Sequence, residues 1–179
     1  MTDNSRKLFL LDAYALIFRA YYAFIKNPRI TSKGMNTSAV FGFLLALEEV
    51  LQKQKPSHIA VVFDTPVPTF RHEMYPEYKA NRDETPEDIK KAVPYIKRLI
   101  EAYRIPVIDY PGFEADDVIG TLARKATEKG FTTFMMTPDK DYAQLVSDSV
   151  YMLKPSRSGN ESILWGVDDV KREFQVERP

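Results

Sequence analysis

Four short apolar runs recur along the chain: "KLFLLDA" (7–13), "HIAVVFD" (58–64), "IPVIDY" (105–110) and "FTTFMMT" (131–137). Each is too short for a core helix and rich in Val, Ile, Leu, Phe or Met. Near-continuous apolar runs of this length fit strands covered on both faces, whereas a half-exposed strand would alternate. Segments of helical period lie between them. Residues 36–54, "NTSAVFGFLLALEEVLQKQ", open on capping residues and carry an apolar stripe through Val40, Phe43, Leu44, Leu47 and Leu51. Residues 85–103 start with Thr85, Pro86 and two acids, which is N-terminal helix chemistry, and Pro94 is expected to kink or divide that helix. Residues 114–130 form a third helix, which Gly130 should stop, with Val118, Ile119, Leu122 and Ala126 facing the sheet. Alternating strands and helices predict an α/β domain with a mostly parallel central sheet flanked by helices. Residues 153–162 read as a loop, a hairpin connection before "ILW", and the tail "VDDVKREFQVERP" reads as one short helix whose Asp168 and Asp169 serve as caps.

Acids sit in phase with the strand ends. "FLLD" closes on Asp12, "VVFD" on Asp64, and "FMMTPDKD" runs into Asp139 and Asp141, while "GFEADD" brings Glu114, Asp116 and Asp117 one turn after the third run. Ligands of open parallel sheets collect at the carboxyl ends of the strands, so seven carboxylates would meet along one edge. Acids at a helix start also cap free N–H groups and oppose the helix dipole, and for the 114–117 cluster alone that explanation would suffice. Four strands delivering acids to one edge favours metal ligation, with capping as a secondary benefit. So many like charges raise one another's pKa values unless cations neutralise them. Oxygen-only donors select hard ions, Mg²⁺ or Mn²⁺, and two such ions suit in-line phosphodiester hydrolysis. Asp12 as a phosphoacceptor nucleophile is a competing reading, weakened by Tyr14 where a second acid is usual.

The 25 basic and 25 acidic residues cancel, which argues against a simple polycationic binder. If seven acids belong to a metal site, 18 remain against the 25 basic groups, leaving a surplus for a polyanion. The 179 residues suffice for one domain, and the absence of cysteine excludes disulfides and thiolate metal sites. Arg6 and Lys7 before an apolar run imitate a signal peptide, but Asp12 and Arg19 interrupt it. A soluble, cytoplasmic protein with no membrane partner is expected.

Residues 65–84, "TPVPTFRHEMYPEYKANRDE", fit neither a core strand nor a long helix. If Pro76 opens a helical turn, Tyr75, Tyr78, Lys79 and Arg82 share a face, pairing aromatic surface with cations as a single-stranded nucleic-acid end requires. Arg71 adds a further cation, and Arg19 could contact phosphate from just beyond Asp12. A solvated loop balanced by Glu73, Glu77, Asp83 and Glu84 is the alternative.

Taken together, "LLDAYALIFRAYYAF", "VVFDTPVPTFRHEMYPEYKANR", "GFEADDVIGTLA" and "TPDKDYAQLV" resemble the N-terminal 5′-nuclease domain of bacterial DNA polymerase I, within the flap-endonuclease and PIN-like group. The resemblance covers nearly the whole chain in the family's order. It implies a PIN-like, resolvase-like fold over residues 1–179, with an arch that steers substrate at 70–84 and the start of a helix-three-turn-helix region at 163–179. It implies 5′-3′ exonuclease and 5′-flap endonuclease activity in replication and repair, on DNA with a 5′ flap or end and on RNA–DNA primer junctions. Two ions, Mg²⁺ or Mn²⁺, would be held by Asp12, Asp64, Glu114, Asp116, Asp117, Asp139 and Asp141. Tyr78, Lys79 and Arg82 match the arch, and Arg19 a basic position near the scissile phosphate. Polymerase domains in cis and a nucleoid-associated location are also implied. The family's "GD-x-SDN-IPG" type motif does not occur before Pro179, so a fragment of low activity is expected. A non-catalytic metal or DNA platform, and a small-substrate phosphohydrolase using Asp12, are the alternatives.

Overall fold

Among the described residues, six strands form one sheet in the order β3-β2-β1-β4-β5-β6. The computed structural model describes residues 6–155 and 161–175. The strands are β1 (Lys7–Asp12), β2 (His58–Val62), β3 (Val107–Ile108), β4 (Thr132–Met136), β5 (Val150–Lys154) and β6 (Ile163–Trp165). The helices are α1 (Ala13–Ala23), α2 (Ser38–Glu49), α3 (Phe70–Met74), α4 (Glu87–Ala102), α5 (Ala115–Glu128) and α6 (Val167–Phe174). All neighbouring pairs are parallel except β5–β6, which is antiparallel. The β1, β2 and β4 ends that precede acids therefore share one edge.

Alternation along each strand builds two cores. Phe9, Leu11, Val61, Phe63 and Met136 face one core, which α1, α2 and α4 cover through Leu16, Ile17, Phe43, Leu47, Ile96 and Ile100. Leu10, Ala60, Val62, Met135 and Met152 face the other, against α5 through Ala115, Ile119 and Ala123. Burial on both faces is why these strands read as unbroken apolar runs. Helices α1 and α2 approach closely at Gly42, where an added Cβ would lie 2.6 Å from that of Ala20. Among the described residues, no helix is long and apolar enough to cross a membrane.

Several local expectations need correction. Strand β3 is two residues long, not six. Pro106 has no N–H to donate, and its carbonyl accepts from Val61 N before the chain turns away at Asp109. Helix α4 continues undivided through Pro94, which is exposed, so the carbonyl freed by the missing N–H falls on the solvent side. The second helix widens to a π-helical turn at Val50–Gln54 and stops at Lys55, whose φ of 48° is left-handed. The buried stripe of α5 runs through Ala115, Ile119, Ala123 and Ala126, leaving Val118 and Leu122 at its margin. Gly130 takes φ 76° and ends that segment as expected. Strand β5 and helix α1 were not anticipated as elements. Strands β5 and β6 pair as a hairpin, and Leu153 and Lys154 of the expected 153–162 loop belong to β5; 156–160 lie outside the described residues, as do 176–179 of the tail. Asp169 accepts from Gly166 N at 3.0 Å and caps α6.

Candidate active site

Asp12 ends β1 and starts α1. Its Oδ1 accepts from Ala15 N at 3.1 Å, and its Oδ2 accepts from the Thr137 hydroxyl, just beyond β4, at 3.2 Å. The residue is only 7% exposed. Burial, with the charge of Asp64 adding to it, overcomes these hydrogen bonds and pushes its pKa up to about 6. Thr137 Oγ1 also accepts from Asp139 N at 3.1 Å, so one buried hydroxyl ties the end of β1 to the loop after β4. Asp139 in turn accepts from Asp141 N at 3.0 Å and starts the 3₁₀ turn Lys140–Leu145. Asp64, two residues past β2, accepts from Ala115 N at 2.8 Å and thereby fixes the start of α5 against the neighbouring strand end.

The first turn of α5 meets α3 and the segment after it. Arg71 donates twice to Asp117, at 2.6 and 2.8 Å, and its guanidinium lies 3.7 Å from Glu114. Lys79 Nζ donates to Glu114 Oε1 at 2.5 Å, and the Tyr78 hydroxyl donates to Oε2 at 3.1 Å. Asp117 also accepts from Glu114 N at 3.1 Å, the capping bond expected of an acid at this position. Hydrogen bonding to Arg71 holds the Asp117 carboxyl below its ordinary range and raises that of the guanidinium. Asp116 has no such cation bonded to it. Burial, followed by the charge of Asp117, raises its pKa.

Five of the seven acids thus fall into two arrangements. Burial, followed by the charges of Asp12, Asp116 and Asp64, opposes ionisation of the Tyr142 phenol. Glu114 and Asp117 are tied to Arg71, Tyr78 and Lys79. Asp141 joins Asp116, Asp117 and Arg71 in lining a cavity of about 380 Å³. A second cavity, about 650 Å³, is lined by Tyr14, Phe18, Asp64, Lys79, Arg82 and Glu114 among others. Among the described residues, no three acids or histidines stand close enough around one point to grip an ion as they are placed. Two of the seven acids, Glu114 and Asp117, are bonded to protein cations in this arrangement. The donor chemistry still fits a hard divalent ion. The acids offer only oxygen, and Asp12 carries a buried carboxyl with no cation bonded to it.

The basic segment also differs from the expected single face. Lys79 adopts a left-handed φ of 60°, which breaks any helix through Pro76. Tyr78 and Lys79 fold onto Glu114, whereas Tyr75 is exposed and donates to Glu77. Arg19 lies half-buried on α1 under the influence of Glu49 and lines neither cavity; burial lowers its pKa. Thr137 and Tyr142 were missed as site residues. Both have a sequence signal: a polar residue straight after an apolar strand, and an aromatic following "DKD".

Residues 7–175 match the family model for the 5′-3′ exonuclease, N-terminal resolvase-like domain. DNA polymerase I of Synechocystis sp. is 46% identical over 150 residues, covering 82% of this chain and 15% of the relative. The 5′-3′ exonuclease of Aquifex aeolicus is 40% identical over 150 residues, covering 84% of this chain and 51% of the relative. The chain thus spans about a seventh of the first and about half of the second. Among solved structures, the T5 D15 protein co-crystallised with metal ions superposes with a TM-score of 0.70 at 20% identity, over 97% of this chain and 62% of that one. That likeness is one of fold.

Proposed function

Because this chain belongs to the family of 5′-3′ exonuclease N-terminal, resolvase-like domains, we propose that it carries the metal-binding half of a nuclease that hydrolyses phosphodiester bonds at DNA 5′ ends and 5′ flaps. The observation that carries this reading is Asp12. A carboxyl held at the central strand end, 7% exposed and without a bonded cation, is a costly feature that a divalent ion would offset. Asp12, Asp64, Asp116, Asp139 and Asp141 would hold Mg²⁺ or Mn²⁺ first, and Glu114 and Asp117 would join as the cations that now bind them turn to substrate. Bound there, the ions would lower the pKa of an attacking water and stabilise the leaving oxygen.

The chain's own residues have separate tasks in this scheme. Thr137 and Ala15 N orient the Asp12 carboxylate. Arg71 and Lys79, poised over α5, are placed to exchange carboxylate partners for phosphates, and Arg71 can do so with two parallel N–H donors. Tyr14 and Phe18 beside Lys79 and Arg82 give the larger cavity an aromatic wall for unpaired bases. RNA–DNA primer junctions as further substrates, polymerase domains in cis and action at the nucleoid complete the proposal.

The test is cleavage of a 5′-flap DNA with Mn²⁺, by this chain and by a version of it extended past residue 179. Asp116→Ala should reduce cleavage by more than about 100-fold, since removing a ligand costs at least as much as removing an outer partner. DNA affinity should hold or rise as repulsion is relieved. If the folded, metal-loaded proteins do not cut, or if Asp116→Ala alters affinity alone, the domain is a binding platform and the nuclease reading fails.

A further inference from the structure

Tyr142 sits in the 3₁₀ turn directly after Asp141, with 3% of its surface exposed. Its hydroxyl is buried and makes no hydrogen bond. The ring is packed in the same core as Leu10, Val62 and Ala115, which flank the strand ends and the start of α5. The hydroxyl lies within reach of the Asp12 carboxylate and favours its ionised form, although the contact does not meet full hydrogen-bond geometry. Asp64 and Asp116 act on it from the other two elements that meet there.

An unpartnered buried donor is costly, and phenylalanine would fill the same space without it. Among the described residues, the other buried hydroxyls without partners belong to Thr65, Thr133 and Ser162. None of these is a rigid aromatic donor set among three acids. Both oxygens of Asp12 already accept one bond each, from Ala15 N and Thr137, and each keeps further lone-pair capacity.

We propose that Tyr142 is a positioning residue of the metal site, its buried hydroxyl standing ready to donate to the Asp12 carboxylate when a divalent cation draws that carboxylate into place. This rests on the metal-site reading above and extends it to a residue that binds no metal itself. Partners of this kind orient a ligating group and raise affinity for the ion without touching it. The phenol suits the task because ring packing leaves only its O–H free to rotate.

Tyr142→Phe separates this role from a structural one. In EDTA the variant should melt at the wild-type temperature or above it, because an unpartnered donor has been removed. Its affinity for Mn²⁺, titrated by the electron-spin-resonance signal of free ion with no DNA present, should fall by about 10-fold or more. Unchanged Mn²⁺ affinity in a variant that melts normally overturns the proposal, as does a lower melting temperature in EDTA with unchanged affinity, since the hydroxyl would then be serving the fold. If wild-type protein binds no Mn²⁺, the metal-site reading and this inference fall together. If wild type binds and Tyr142→Phe binds equally, only this inference falls.

Discussion

Replacing Asp12 by Asn should stabilise the metal-free protein. The carboxyl titrates at about 6 in the folded chain rather than its ordinary 3.8, principally because it is buried. Ionising it in the native state therefore costs about 3 kcal/mol. The sign follows from proton uptake: between those two values the folded state holds a proton that the unfolded state has released. The associated stability is complete below about pH 3.8 and is lost as pH rises through about 6. Asn keeps the shape, can still accept from Ala15 N as a good N-cap, and carries no charge to desolvate. In EDTA, the difference between Asp12→Asn and wild type should open from near zero around pH 4 to about 3 kcal/mol above about pH 7. For a chain of this size that corresponds to about 6–12 °C in melting temperature. Scanning calorimetry of both proteins across the pH series reads it directly. Saturating Mn²⁺ should reverse the order, because only wild type keeps the central ligand. An Asp12→Asn protein that melts at or below wild type in EDTA at neutral pH would refute the claim that burial of this charge is not offset by a cation.

Arg71→Met removes both bonds to Asp117, whose partly buried carboxylate is then left without its cation. A loss of about 1–3 kcal/mol is expected at neutral pH by urea unfolding. Arg71 holds the Asp117 carboxyl low, so the pair's contribution is present above the ordinary carboxylate range and should vanish as pH falls below it. A difference that persists in acid would contradict the assignment. Gly42→Ala sets a methyl 2.6 Å from Ala20 Cβ and 3.2 Å from its Cα, forcing α1 and α2 apart at a cost of about 1–3 kcal/mol. Its unfolding midpoint should fall while Mn²⁺ affinity of the folded protein stays unchanged.

The layered architecture was legible because β1, β2 and β4 are covered on both faces, so periodicity and length coincide in their sequences. Strand β5 escaped notice because "VYMLK" follows polar residues and runs into the loop, with only its parallel pairing to β4 marking it as a strand. The length of β3 depends on the missing N–H of Pro106, a detail outweighed by the apolar run around it. The positions of Asp12, Asp64 and Asp139 at or just past the ends of β1, β2 and β4 were legible because strand phase places them. Their partners were not. Nothing in the 46-residue separation of Arg71 and Asp117 announces a bidentate pair, and no local rule ties Tyr78 and Lys79 to Glu114. These contacts follow from how the chain turns after α3, where Lys79 takes a backbone angle that propensity does not favour. Tyr142 reads locally as an ordinary aromatic of a short turn, and its isolation among acids emerges only after β1 and β4 have paired.

That pairing joins strands whose residues are some 125 positions apart, as the Thr137–Asp12 bond illustrates. Contacts of such separation form late, since loop closure must precede them. A ribosome-bound stretch ending before β4 would carry Asp12, Asp64 and the α5 acids yet lack the strand that draws Thr137 and Asp139 beside them. The carboxylates at this sheet edge would then come together only after β4 has emerged and paired with β1, so strand order itself dates the assembly of the acidic edge.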